Sequence, residues 1–116
     1  MKRAFVELPA FSAWVRSGKI ADEQLCQLQA DLMGGAGDTI SGTGGLKKAR
    51  WGRPHGGKSG GWRVIFADYP AYRLTVLVTA FPKNVKANLS AAETRQLKRL
   101  KGWLDKEIEA RYGTGQ

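Results

Sequence analysis

Six cations and no acid occupy residues 47–63: Lys47, Lys48, Arg50, Arg53, Lys58 and Arg63. Like charges at this density repel one another, so the segment suits an anionic partner better than solvent alone. The same stretch holds Gly52, Gly56, Gly57, Gly60 and Gly61, five glycines in ten residues. Such a loop is costly to order by itself and free to mould to a ligand. Letter for letter, Gly52-Arg53-Pro54-His55-Gly56-Gly57-Lys58-Ser59 matches the phosphate-loop pattern G-x-x-x-x-G-K-[ST]. That loop grips phosphate because a helix starts at its lysine, whereas here Gly60 and Gly61 lead into the β-prone run Trp62 to Phe66. Asp68 is the single acid of the three strand-like segments 46–51, 62–69 and 72–81, which leaves none of them ending in a separate magnesium-binding carboxylate, and nucleotide hydrolysis is set aside. One cysteine, Cys26, cannot form an internal disulfide, and with His55 as the sole imidazole there is no zinc ligand set. His55, in a glycine-rich loop, reads as an incidental polar residue rather than a catalytic base.

The chain that must position these cations has 116 residues, one domain's worth, with residues 1–116 taken as a single unit. Nineteen Lys and Arg against ten Asp and Glu give a formal charge of +9, and nucleic acid is the expected partner, ahead of a membrane surface. Residues 83–116 add eight basic side chains against four acidic. The longest nearly apolar run, Leu74 to Phe81, falls short of the roughly 20 residues of a membrane span, and the N-terminus lacks a signal peptide's apolar centre. A cytoplasmic protein is expected.

Arg3 to Leu8 alternates loosely and predicts a short strand, ended by Pro9. Phe11, Trp14 and Val15 predict a helix closed by Gly18, and Asp22 offers an N-cap for a second, with Leu25, Leu28 and Leu32 at helical spacing up to Gly34 and Gly35. Cys26 is expected to pack in or beside that helix as a small hydrophobe. After a glycine-rich connection, Leu46–Trp51, Trp62–Tyr69 and Tyr72–Phe81 predict three strands, the last two joined as a hairpin across Pro70 and Ala71. Ser90-Ala91-Ala92-Glu93 is a capping box that opens a long helix carrying Leu97, Leu100, Leu104 and Ile108 on one face, with Trp103 widening the stripe. The order β-α-α-β-β-β-α gives an α+β fold: a small twisted antiparallel sheet with an N-terminal helical hairpin and a C-terminal helix, the helices covering one side. Strand alternation puts Lys48 and Arg50 on one face and Ala49 on the other. Trp51 and Trp62 flank the basic loop and could stack on bases, although packing on the sheet is the favoured reading, as it is for Trp14 and Trp103 on their helices.

Three blocks then carry a family likeness: Ile40-Ser41-Gly42-Thr43-Gly44-Gly45-Leu46 with the basic strand Lys47-Lys48-Ala49-Arg50-Trp51; Gly57-Lys58-Ser59-Gly60-Gly61-Trp62-Arg63-Val64-Ile65-Phe66; and Phe81-Pro82-Lys83-Asn84 with Asn88-Leu89-Ser90. In this order they resemble the HigB-type branch of the RelE/ParE toxin superfamily, over nearly the whole chain. The resemblance implies a RelE-like microbial ribonuclease fold. It also implies a type II toxin that cleaves messenger RNA in the ribosomal A site and is silenced by a cognate helix-turn-helix antitoxin. The implied chemistry needs no metal and no cofactor: the RNA 2′-hydroxyl attacks the adjacent phosphate, the 5′-oxygen leaves, and a 2′,3′-cyclic phosphate results. Carried over position by position, Lys48, Arg50, Arg63 and Lys83 match the family's catalytic cations, while Lys47, Arg53, Lys58, Asn84 and Lys86 are expected to contact RNA or ribosome. Two departures leave the general base open. After Lys83 the only tyrosine is Tyr112, and Phe66 and Phe81 stand where other members of the branch often have tyrosine. The alternatives are a gyrase-poisoning toxin of the same superfamily and a non-catalytic RNA- or ribosome-binding module.

Overall fold

The computed structural model describes residues 3–52, 61–82 and 89–113. Strand β1 (Ala4–Glu7) leads into helices α1 (Pro9–Ser17) and α2 (Asp22–Met33); strands β2 (Asp38–Thr39), β3 (Lys47–Trp51), β4 (Trp62–Tyr69) and β5 (Leu74–Pro82) follow, and α3 (Ala91–Ile108) closes the order. The sheet runs β1-β5-β4-β3-β2. It is mixed rather than wholly antiparallel, because β1 lies parallel to β5 while the other neighbours are antiparallel. The expected α+β class, helical hairpin and C-terminal helix are all present.

Local chemistry accounts for the helix boundaries. The Ser90 hydroxyl accepts from the Glu93 N–H at 3.1 Å and the Glu93 carboxylate accepts from the Ser90 N–H at 2.9 Å, the reciprocal cap read from the sequence. At α2 the cap is Ala21, one residue before the expected Asp22. The Gln24 side chain reaches back to the Ala21 N–H at 2.8 Å, which frees Asp22 to enter the first turn, where its charge suits the helix dipole. Gly18 caps α1 as expected, yet the left-handed residue is Lys19, with φ 54°. Cys26 is exposed rather than packed, since Leu28 and Leu32 mark the buried side of α2.

The helices cover both faces of the sheet, not one. Phe11, Trp14, Leu28 and Leu32 of the hairpin pack with Ala49, Trp51, Val64, Phe66 and Leu77; Leu104 and Ile108 of α3 pack with Leu46, Ile65, Ala67, Leu74, Val76 and Val78. Four consecutive buried residues, Val64 to Ala67, are the mark of a strand covered on both sides. Trp103 departs from its expected place in the core: it lies beside Val6 and Leu8 at the β1 edge and remains 53% exposed. The connection before β3 contributes the unforeseen strand β2, and Gly37 is required there because a Cβ would meet the Phe66 ring at 2.7 Å.

A register shift between Ile65 and Phe66 breaks the β4–β5 pairing: Phe66 opposes Leu77 but Ile65 opposes Thr79, so Val78 is an extra residue. Beyond this bulge, Thr79 and Phe81 share a face with Ile65 and Arg63, which is the α3 side. The hairpin turn is a 3₁₀ segment, Pro70–Tyr72, followed by Arg73 with φ 53°, which is why β5 starts at Leu74 and not at Tyr72. From this end the phenols of Tyr69 and Tyr72 donate to Asp105 at 2.8 Å and Glu109 at 3.0 Å and tie down the C-terminal half of α3. Burial, then the Asp105 bond and charge, push the Tyr69 phenol well above its ordinary pKa. Tyr69→Phe should lower stability by about 1 kcal/mol near neutrality. Since the folded-state pKa lies above the unfolded value of about 10, that difference is fully present below pH ~10 and is lost as the pH rises further, a trend that urea unfolding measured across alkaline pH would check.

Candidate active site

Ala49 and Trp51 of β3 and Val64 and Phe66 of β4 face the helical hairpin. Strand alternation therefore turns Lys48, Arg50 and Arg63 to the α3 face. In the register Arg50 stands directly opposite Arg63, and Lys48 stands opposite Ile65, the next residue of β4 on that face. Directly opposed residues have Cβ atoms about 5 Å apart and same-face neighbours along a strand about 7 Å apart, so three cations share one small patch. Phe81 flanks Arg63 on its other side.

No ion pair among the described residues engages this patch. Among the described residues, the ion pairs are Arg3 and Lys47 with Asp68, Lys101 with Asp105, and Arg111 with Glu107, none involving Lys48, Arg50 or Arg63. Arg63 is half-buried, and its Nη1 is buried with no hydrogen-bond acceptor among the described residues. A buried donor left without a partner costs on the order of 1–3 kcal/mol, and two like charges directly opposed add to it. A phosphate oxygen is an acceptor of the right charge for that guanidinium. An acid that the sequence reading passed over, Asp38, stands opposite Lys48 on β2, within cross-strand reach. It is hard to see in the sequence because it sits in a glycine-rich connection with no strand pattern.

Lys47 is held apart from the other three. One residue out of phase with Lys48, its Nζ lies 3.4 Å from Asp68 Oδ2. Asp68 Oδ1 also takes Arg3 Nη1 at 3.4 Å and the Thr75 hydroxyl at 2.6 Å. Trp51 and Trp62 likewise belong to the hairpin side, edge-on to Trp14 with ring centroids 6.0 and 5.2 Å away, which is packing rather than a platform for bases. Arg53, Lys58, Lys83, Asn84 and Lys86 lie outside the described residues, as does His55. The segment after the phosphate-loop look-alike is strand β4 and not a helix, as its sequence predicts.

The glycine-threonine block before β3 is a turn and not a ligand loop. Thr43 is fully buried; its hydroxyl donates to the Ile40 carbonyl at 2.8 Å and accepts from the Leu46 N–H at 3.1 Å. Gly42, at φ +81°, passes so near α3 that a Cβ would lie 3.1 Å from Thr94. The turn thus sets the start of the cationic strand against the helix.

A family model described as the RelE toxin of the RelE/RelB toxin-antitoxin system matches residues 3–112. The chain belongs to the RelE toxin family. It is accordingly a toxin of a type II toxin-antitoxin system with a cognate antitoxin as partner, and toxins of this family generally cleave messenger RNA. Among the described residues of this RelE-family toxin, no helix is long and apolar enough to cross a membrane.

The opposed arginines give a stability test of the patch. Arg50 is exposed and makes no ion pair among the described residues, so Arg50→Gln should remove repulsion without loss of packing and stabilise the fold by up to about 1 kcal/mol. Thermal unfolding at low salt should show a rise of a few degrees that shrinks as salt screens the pair.

Proposed function

We propose that this toxin is a ribosome-dependent messenger-RNA endoribonuclease of the HigB-like type, acting by metal-free attack of the RNA 2′-hydroxyl on the adjacent phosphate. The observation that carries the reading is the convergence of Lys48, Arg50 and Arg63 on one sheet face, with Arg50 and Arg63 opposed in the register. Arg63 and Lys48 bind the scissile phosphate. Arg50, or Lys83 from the segment after β5, supplies charge to the transition state or a proton to the departing oxygen. The bond from the 2′-oxygen to phosphorus forms as the bond to the 5′-oxygen breaks, the 2′ proton passes to a base, and the 5′-oxygen gains a proton. The products are a 2′,3′-cyclic phosphate and a 5′-hydroxyl.

The energetics favour such a device. Negative charge gathers on the phosphate oxygens in the transition state, and cations fixed in advance stabilise it with no reorganisation at the moment of reaction. Proximity and orientation supply the other part, with the ribosome holding the message in line for attack. Arg53, Lys58 and Lys86 serve as electrostatic contacts to RNA or ribosome and Asn84 as a hydrogen-bonding one, worth more in association than in chemistry, whereas Lys47 is paired with Asp68 away from the patch.

Arg63→Ala should abolish growth arrest on induction and lower messenger-RNA cleavage by roughly 100-fold or more, with the far-ultraviolet circular dichroism unchanged. Primer extension on cellular messages checks this, since A-site cleavage leaves discrete ends in phase with the reading frame. A substituted protein that remains fully toxic would refute the role given to Arg63. Intact messages with broken DNA in cells expressing the unsubstituted toxin would move the reading to gyrase.

A further inference from the structure

Helix α3 is buried more deeply at its C-terminal end than toward Ser90. Its C-terminal half is held by the Tyr69–Asp105 and Tyr72–Glu109 hydrogen bonds and by buried Leu104 and Ile108. Toward Ser90 the contact with the sheet loosens: Leu97 and Leu100 are half-buried, and a cavity of about 330 Å³ opens between α3 and strands β4 and β5. Ile65, Thr79, Phe81, Leu97 and Leu100 form most of its walls; Gln96, exposed on α3, lines it as well, as does Glu93, whose carboxylate accepts from the Ser90 N–H in the helix cap.

In the strand register this cavity adjoins the cationic patch. Ile65 is directly across from Lys48 and two residues along β4 from Arg63, and Phe81 is directly across from Arg63. The bulge at Val78 is what turns Thr79 and Phe81 to this face. An occupant that satisfies both halves must be anionic at one end and flat and apolar-faced at the other, with the two ends about 7 Å apart, two residues' rise along a strand. A nucleotide has that form. Phe81 lines the cavity as a ring on which a base can stack, and the Gln96 amide carries both donors and an acceptor for a base edge. An apolar peptide segment would fit the slot but leave the adjoining cations without counter-charge.

We propose that the cavity between α3 and strands β4 and β5 is a nucleobase slot, which seats the base next to the phosphodiester held by Lys48 and Arg63 and, through Gln96, biases which sequences are cut. The proposal rests on the nuclease reading above and adds the determinant of its base preference.

The test is cleavage-site mapping across cellular messages for the unsubstituted toxin and for Gln96→Ala and Gln96→Trp, alongside co-expression with the cognate antitoxin. Gln96 is exposed, so both variants should fold, which circular dichroism checks. Gln96→Ala should change the base ratio at one of the two nucleotides flanking the cut by roughly fivefold or more, the discrimination that a single side-chain contact to a base supplies. Gln96→Trp, which puts bulk across the mouth, should cut at least roughly tenfold less, as misplaced substrate does. Unchanged base ratios for Gln96→Ala, or cleavage by Gln96→Trp at the unsubstituted rate, overturn the slot while leaving the nuclease intact. Gln96→Trp that cuts normally yet escapes the antitoxin also overturns it and assigns the cavity to the protein partner. No cleavage by the unsubstituted toxin removes the nuclease reading itself and the slot with it.

Discussion

Arg50 and Arg63 face each other across the β3–β4 register, and two guanidiniums hold that position only if other contacts fix the strands beneath them. Those contacts are on the reverse side of the same strands. Trp51 and Trp62, neighbours in sequence to the two arginines and paired with each other, meet Trp14 of α1 edge-on, and Phe11 packs against Trp14 at a 5.1 Å centroid distance. Each aromatic pair of this kind contributes about 0.5–1.5 kcal/mol beyond the area it buries, against a repulsion of about 0.2–1 kcal/mol for the opposed charges. The hairpin face therefore supplies the rigidity that the cationic face spends, and every residue of β3 and β4 near the site has a part in one or the other. Strained charge on one side and dense packing on the other is how a small sheet can keep an anion site in shape before the anion arrives.

The same division sorts the acids. Asp68 lies on the hairpin side, where it takes Arg3, Lys47 and the Thr75 hydroxyl, and so two cations of the basic chain are neutralised away from the patch. Asp105 and Glu109 are committed to the far end of α3 by Tyr69 and Tyr72. Net charge alone does not distinguish an evenly basic surface from a concentrated cationic patch; the placement of these carboxylates does. The buried Thr43 turn adds the remaining constraint, because it joins the start of β3 to the flank of α3 and so fixes how far the cationic strand stands from the helix.

Much of this was legible in the residues. The capping box at Ser90, the leucine spacings and the shared face of Lys48 and Arg50 follow from local rules, and local rules decided them. Coverage of both sheet faces is also written in the sequence, in the unbroken apolar run Val64 to Ala67, whereas element order alone is compatible with one covered face. Three features had no local signal. The parallel pairing of β1 with β5 joins residues about seventy positions apart, β2 hides in a connection dominated by glycine, and the bulge at Val78 interrupts a strand whose composition is uniformly β-prone. The difference between Lys47 and Lys48 follows from alternation once β3 is accepted, whereas the opposition of Arg50 and Arg63 depends on register, which sequence spacing across a glycine-rich loop does not fix.

Register also bears on the base left open by the sequence. All three tyrosines of the chain, Tyr69, Tyr72 and Tyr112, gather around the β4–β5 turn and the end of α3, with Tyr72 stacked on Tyr112 at 5.9 Å. Tyr69 is six residues from Arg63 along the same face of β4, a separation of roughly 20 Å. Burial and the bond to Asp105 raise the pKa of its phenol, and the bond to Glu109 raises that of Tyr72, the wrong direction for a group that must surrender its proton before taking another. Distance and electrostatics together thus argue against Tyr69 as a base for this patch. Beside the cations themselves the register brings a carboxylate, Asp38, opposite Lys48. A site of this composition acts chiefly through charge stabilisation and through the alignment of what it binds. That is the division of labour to which a three-cation patch on a rigid sheet is suited.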